Sequence, residues 1–170
     1  MNFSHFSVQG PMARSVADVA LMMAGLVANA DRDPLTGPCD PKAFLDLEPV
    51  DLGILHAAWT EDFGGVAPLD NNIRACFQAV IGKLGSSFGT ISADDPDFTG
   101  AGDCFWTLRC VNYLASHMER YETHGDKLSP NIIANIEDGQ KMSLADVAAA
   151  EVQWRRIYTT FQDYFEDKDV

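Results

Sequence analysis

The sequence predicts an α/β fold with few strands and a helix-rich C-terminal half. Two short segments bounded by turn residues are typical of strands: 52–59 is apolar, and 87–92 alternates in polarity. Five longer segments repeat apolar residues at helical spacing, and three of them follow the second strand. The predicted order is therefore α-β-α-β-α-α-α, in one domain over residues 1–170. This is too few strands for a complete doubly wound sheet, so we expect only part of a mixed sheet.

The composition is that of a soluble globular protein, with 46% hydrophobic and 22% charged residues. A net charge of -13 repels phosphate backbones and anionic lipid, so we expect no nucleic-acid partner and no membrane partner. The N-terminus lacks a basic segment followed by an apolar one, which favours a cytoplasmic protein.

The cysteines and histidines give no sign of a metal site. The histidines are scattered, and no pair of cysteines has C-x-x-C spacing, so we expect neither a metal nor a cofactor. The four cysteines, which stand mostly among apolar residues, are predicted to be buried, reduced thiols. They are Cys39, Cys76, Cys104 and Cys110.

The N-terminal helix is predicted from a capping box. Ser15 supplies a side chain for an unpaired amide of the first turn, and Asp18 lies near the positive end of the helix. Apolar residues then recur at helical spacing up to about Asn29, and a polar, proline-rich loop follows over 31–49.

The middle of the chain predicts a strand, a helix and a second strand. Residues 52–59 form a short apolar run typical of a buried strand, and the turn 62–65 follows it. The next helix begins near Asp70 and should end at Gly85. Its predicted inward face comprises Ile73, Cys76, Phe77, Val80, Ile81 and Leu84.

Three helices are predicted in the C-terminal half. The first covers 101–122, and the second begins after Ser129 and should end at Gly139. A capping box opens the third at Ser143. Its inward face is predicted to comprise Val147, Ala150, Trp154, Ile157, Phe161 and Phe165.

The segment around the first helix resembles the amidase signature family, which includes amidases and amidotransferase A subunits. The similar positions are Gly10-Pro11, Arg14 three residues later, and Asp18 four residues beyond that. The proline-rich loop with Asp31-Arg32-Asp33-Pro34 and the order of the later elements extend the resemblance over nearly the whole chain. It implies part of an α/β/α amidase fold in which Gly10, Pro11, Arg14 and Asp18 are a structural motif.

The resemblance also implies that the catalytic region is absent from this chain. In the family, the nucleophilic serine, a bridging serine and the lysine base precede the Gly-Pro motif, and only nine residues precede Gly10 here. The family's last segment, beyond the long helix, is missing as well. We therefore assign no catalytic residue and expect a truncated, inactive portion of an amidase.

A lysine and two adjacent serines, Lys83, Ser86 and Ser87, form the strongest catalytic alternative within the chain. They follow the Gly-Pro motif by about seventy residues instead of preceding it. Lys83 suits the negative end of a helix, and Gly85 ends that helix before the next strand. We interpret the segment as a helix-to-strand turn.

Residues Phe63, Trp106 and Arg109 are the candidates for a substrate pocket, because the resemblance implies that this portion shapes specificity. Alternatively, Trp106 is a packing residue and Arg109 a solvated helix charge. For Arg14 and Asp18, the alternatives are bracing of the catalytic loop, or a helix cap and a salt bridge.

Three functions remain open from the sequence. The first is a portion of an amidase that cleaves carboxamides. The complete enzyme would bind a small amide, and the partner of this chain would be a missing N-terminal portion. The second is a non-catalytic amidase remnant that serves as a binding or oligomerisation module, for instance a homodimer. The third is an unrelated helical α/β binding protein.

Overall fold

The computed structural model describes residues 10–27 and 36–170. The chain divides into two compact units, Met1–Val50 and Asp51–Val170. The single domain over 1–170 stays a prediction. The Asp31–Pro34 loop and the predicted last residues of the first helix lie outside the described residues.

The first unit contains α1, Val16–Leu26. The Asp18 backbone N–H donates to Ser15 Oγ at 3.2 Å, which is one half of the predicted capping box. A short 3-10 turn, Pro41–Phe44, is capped by Asp40 and packs against α1. Ala20 is the buried residue of α1.

The second unit begins with a parallel strand-helix-strand segment. It comprises β1 (His56–Trp59), α2 (Asn71–Leu84) and β2 (Thr90–Ala93). The strands pair in parallel, with His56 opposite Thr90 and Trp59 opposite Ala93. On the other edge of β1, Val170 donates to His56 O at 3.4 Å and accepts from Ala58 N at 2.9 Å.

Both strands are shorter than the sequence predicts. Residues 52–54 form a 3-10 turn because the Asp51 side chain accepts from the Gly53 N–H at 2.8 Å. A second 3-10 turn at Gly85–Ser87 delays β2 until Thr90. The predicted order of helices and strands is nevertheless the observed one.

Three helices complete the second unit: α3 (Ala101–His124), α4 (Pro130–Lys141) and α5 (Leu144–Tyr164). A buried cluster joins α3 to α5, and it comprises Cys104, Leu108 and Ala150 with Trp154 and Ile157 packed against it. On α4, Ile136 is fully buried. The unit's hydrophobic core therefore lies mainly in this helical layer.

Gly139 does not end α4, as the sequence predicted, but lies inside the helix. A Cβ at this position would lie 2.9 Å from Leu114 Cδ1 and 3.1 Å from the Cys110 carbonyl oxygen. The missing side chain therefore lets α4 approach α3 closely. The helix instead ends at Lys141, and Ser143 opens α5 with both halves of the predicted capping box.

The apolar face of α2 is the second departure from the prediction. None of its described residues is buried, and Cys76, expected to be buried, is exposed. Ile73, Val80 and Leu84 keep 42% to 58% of their surface exposed. Cys104 and Cys110 are buried free thiols as predicted, whereas Cys39 is partly exposed.

Candidate functional site

A cavity of about 230 Å³ lies beyond the carboxyl ends of β1 and β2. This is the edge of a parallel sheet at which α/β proteins bind ligands. Its lining combines one aromatic ring with polar and acidic side chains. The lining residues are Trp59, Thr60, Glu61, Asp62, Gln78, Ala93 and Asp95.

A turn with left-handed backbone directly follows the cavity-lining residues 59–62 in the sequence. Phe63, Gly64 and Gly65 have φ values of 54°, 67° and 89°. Glycine adopts this conformation freely, whereas Phe63 is strained there. The Phe63 N–H donates to Thr60 Oγ1 at 2.8 Å, and the Gly65 N–H donates to Asp62 Oδ1 at 2.9 Å. These two hydrogen bonds hold the turn against the end of β1.

The acidic side chains of the cavity are already paired. Arg74 of α2 forms salt bridges with Glu61 and, at 3.0 Å, with Asp62. The hydrogen bond from Arg74, together with that from the Gly65 N–H, lowers the pKa of the Asp62 carboxyl. Thr60 Oγ1 donates to Asp95 Oδ1 at 2.5 Å. The cavity thus presents compensated carboxylates rather than a free acid or base.

Three carboxylates line the cavity, those of Glu61, Asp62 and Asp95. Over residues 10–27 and 36–170, no group of three or more histidine, cysteine, aspartate or glutamate residues is placed to hold a metal ion. The side chains that line the cavity can accept and donate hydrogen bonds, but they include neither a serine nor a lysine.

Phe63, a predicted pocket residue, belongs to an aromatic cluster at this end of the sheet. Its ring lies 4.9 Å from Phe98, edge to face, and Phe98 lies 5.6 Å from Phe161 of α5. Phe161 in turn contacts Phe165 at 5.0 Å. The cluster anchors the strained turn to the end of α5.

The other two pocket candidates, Trp106 and Arg109, lie on α3. Trp106 keeps 37% of its surface exposed, and Arg109 is half-buried. Arg109 Nε donates to Asn135 Oδ1 of α4 and Arg109 Nη2 donates to Tyr113 Oη, both at 2.9 Å. Within the part of the chain that the structure describes, no hydrogen bond or ring contact joins Phe63 to Trp106 or Arg109.

Asn135 is a functional candidate that the sequence did not identify. It is fully buried, and its side-chain amide donates to the Asn131 carbonyl oxygen at 2.7 Å. Its Oδ1 is thereby turned towards Arg109, which is 26 residues earlier in the chain. The available signal was an asparagine between Ala134 and Ile136, within the apolar part of a predicted helix.

The Gly-Pro motif lies in the first unit. Gly10, Arg14 and Asp18 are exposed, and Pro11 is partly buried. The Asp18 side chain stands in the first turn of α1, where a negative charge suits the helix end. Arg14 forms none of the salt bridges found among the described residues.

The Lys83, Ser86 and Ser87 segment is a helix-to-strand connection, as predicted. Lys83 occupies the last turn of α2, and both serines lie in the 3-10 turn before β2. All three residues are exposed. In the described part of the chain, no hydrogen bond joins this lysine to either serine.

No helix within the described ranges has the length and apolarity needed to cross a membrane.

The chain is similar over nearly its whole length to amidases. No protein-family model matches it. It is 22% identical over 173 residues to an acylamidase from Rhodococcus erythropolis, a match that covers 99% of this chain and 35% of the acylamidase. A solved structure described as the crystal structure of an amidase matches with a TM-score of 0.65 and 13% identity, over 94% of this chain and 33% of that one.

These two matches confirm the resemblance predicted from the Gly-Pro motif. The structural match extends it to the fold, because 94% of the chain superposes on part of an amidase. The chain spans about a third of the length of each protein that it matches.

Proposed function

We propose that this chain is one portion of an amidase signature enzyme that hydrolyses carboxamide C–N bonds and that it is inactive without the remainder. The supporting observation is the match of 99% of the chain to 35% of an acylamidase. The similar fold is consistent with the proposal. A small amide would be the ligand of the complete enzyme.

In the proposed reaction, a serine hydroxyl from the remaining portion attacks the amide carbonyl and forms an acyl-serine ester. A lysine accepts the hydroxyl proton, which passes to the departing amine, and backbone N–H groups stabilise the oxyanion. Water then hydrolyses the ester to the carboxylic acid. We place none of these catalytic groups in this chain; Phe63, Trp106 and Arg109 remain its candidates for contacts with substrate.

The chain should neither hydrolyse simple amides nor react with a fluorophosphonate probe. Covalent labelling of Ser86 or Ser87 would contradict its inactivity. The gene region upstream of Met1 provides the complementary test. A reading frame encoding a lysine followed by a glycine- and serine-rich segment, joined to this chain, should give a polypeptide that the probe labels and that releases amine from amides. If no such frame exists, a non-catalytic amidase remnant is favoured instead.

The alternative is a non-catalytic amidase remnant that serves as a binding or oligomerisation module. The exposed apolar face of α2 favours it, because monomeric proteins rarely leave such a face uncovered. Sedimentation separates the two proposals. A stable homodimer of this chain supports the module, whereas a well-behaved monomer weakens it.

A further inference from the structure

We infer that Arg109 and Tyr113 of α3 form a binding site for the carboxylate of a small aromatic or apolar acid. The inference rests on the proposed function for its biological meaning, because it assigns a ligand class to Arg109, a substrate-pocket candidate. The binding site itself is argued from the contacts, burial and charge of α3 and α4.

The Arg109 guanidinium is held in place by neutral groups. Its Nε donates to Asn135 Oδ1 and its Nη2 donates to Tyr113 Oη, each at 2.9 Å. Asn135 is fully buried and is itself held by the Asn131 carbonyl oxygen. These neutral partners fix the orientation of the guanidinium without compensating its charge.

Arg109 is half-buried and has no carboxylate partner among the described residues. The other two described arginines that are half-buried each pair with acids: Arg74 with Glu61 and Asp62, and Arg156 with Asp97 at 2.8 Å. No described carboxylate lies within 4.0 Å of the Arg109 nitrogens. Burial of a charge is costly without a counter-ion, so this site is suited to accept one.

Within the described ranges, Arg109 and Tyr113 each keep a free hydrogen-bond donor. Arg109 Nη1 has no acceptor among the described residues, and neither has the Tyr113 hydroxyl proton, since Tyr113 Oη accepts from Arg109. A guanidinium N–H beside a phenol O–H can bind the two oxygens of one carboxylate.

Aromatic rings flank the guanidinium and favour a carboxylate with an apolar body. Arg109 Cζ lies 4.8 Å from the Tyr113 ring centroid and 5.7 Å from that of Phe105. Phe105 is 43% exposed, and Trp106 lies three residues before Arg109, on the same side of α3. An inorganic phosphate would leave these rings uncovered.

Benzoate and its neutral isostere benzamide test the inference by calorimetric titration of the full chain. Benzoate should bind saturably and benzamide at least about tenfold more weakly, since a charge-assisted pair is lost. Arg109→Gln should weaken benzoate binding about tenfold or more, and Tyr113→Phe about threefold or more. Tyr121→Phe on the same helix, whose hydroxyl instead faces Glu137, should leave it unchanged.

Three results would overturn the inference: no saturable benzoate binding, equal binding of benzamide, or phosphate binding more tightly than benzoate. Tyr113→Phe keeps the ring and so tests the site even if Arg109→Gln does not fold. The measurement requires no amide hydrolysis. Loss of benzoate binding therefore leaves the amidase proposal standing, and an inactive joined polypeptide leaves the carboxylate site standing.

Discussion

The two regions of the second unit bury their apolar residues to very different extents. The α3–α4–α5 layer contains a buried cluster, a fully buried Ile136, and Gly139 at the contact between α4 and α3. Helix α2, in the β1–α2–β2 region, has no buried residue along its described length although its sequence is equally amphipathic. Amphipathic spacing thus marks a face suited to packing, but the packing partner decides whether the face is buried.

The proposed function gives this difference a physical reason. If the chain is one portion of an amidase, the remainder of that enzyme would supply the surface that covers α2. We expect the helical layer to be stable through its own buried contacts. We expect α2 to be less stable, because the ion pairs of Arg74 and the ring contact of Phe77 with Trp59 bury none of its residues.

The largest expected effect is loss of the buried isoleucine side chain in α4. Ile136→Ala should lower the free energy of unfolding by about 3 kcal/mol, because it removes a fully buried side chain and leaves a cavity. Ile73→Ala on α2, where the side chain is 58% exposed, should change it by less than about 0.5 kcal/mol. Urea denaturation followed by circular dichroism measures both. Similar losses would remove the distinction between the two regions.

A pair of glycine substitutions should differ in sign. Gly139→Ala should destabilise by about 1–3 kcal/mol, because the new Cβ meets Leu114 and the rigid Cys110 carbonyl. A Cβ at Gly82 in α2 would meet no described atom within 4 Å, so Gly82→Ala should stabilise α2 locally by about 0.5–1 kcal/mol through helix propensity. Thermal unfolding measures the effect of Gly139→Ala, and native-state amide exchange within α2 measures that of Gly82→Ala. A stabilising Gly139→Ala would refute the close approach of α4 to α3.

Helix caps offer a smaller contrast. Ser143→Ala removes the capping box of α5 and should cost about 1 kcal/mol of global stability. Asp70→Ala removes the cap of α2, where its side chain accepts from the Asn72 N–H at 2.8 Å. Because α2 should open locally before the unit unfolds, this second change should leave the global midpoint nearly unchanged and speed amide exchange within α2. An equal shift of both midpoints would show that α2 unfolds with the helical layer.

Acid should weaken the contact between the β2–α3 loop and α5, where Asp97 pairs with Arg156. Hydrogen bonds from Thr99 lower the pKa of Asp97 from 3.8 to about 2, with a further contribution from the Arg156 guanidinium of α5. The carboxylate's stabilising effect is therefore complete above about pH 4 and is lost as the pH falls through about 2. The Asp97→Asn variant should lack this pH-dependent contribution to the free energy of unfolding. The stability difference between wild type and variant, measured by urea titration from pH 5 to pH 2, should shrink towards zero; a constant difference would contradict the pairing.

Local signals in the sequence predicted most of the helices and strands. The Ser15 and Ser143 caps located α1 and α5, and apolar spacing located α2 and α3. Gly139 was misassigned because a glycine that ends a helix and one that permits close packing look alike without the facing residue, Leu114. Where tertiary contacts decide whether a helix ends or continues, the local sequence is insufficient to predict its end.

The candidate sites were harder to predict for the same reason. The sequence selected Arg109 and Phe63, but nothing local connects Arg109 with Asn135, 26 residues later. The turn at 62–65 was predicted, whereas the left-handed backbone of Phe63 and its ring contact with Phe98, 35 residues later, were not. The apolar stripe of α2 was expected to be buried because sequence spacing does not reveal whether a partner surface is present.

Native-state hydrogen exchange of the full chain, resolved by residue, tests the difference between these regions most directly. We predict that amides in the middle of α4, around Ile136, exchange at least about tenfold more slowly than those in the middle of α2, around Phe77. The burial of Ile136 in α4 and the lack of a buried residue in α2 require this order. Equal protection of α2 and α4 in a monomer would contradict it.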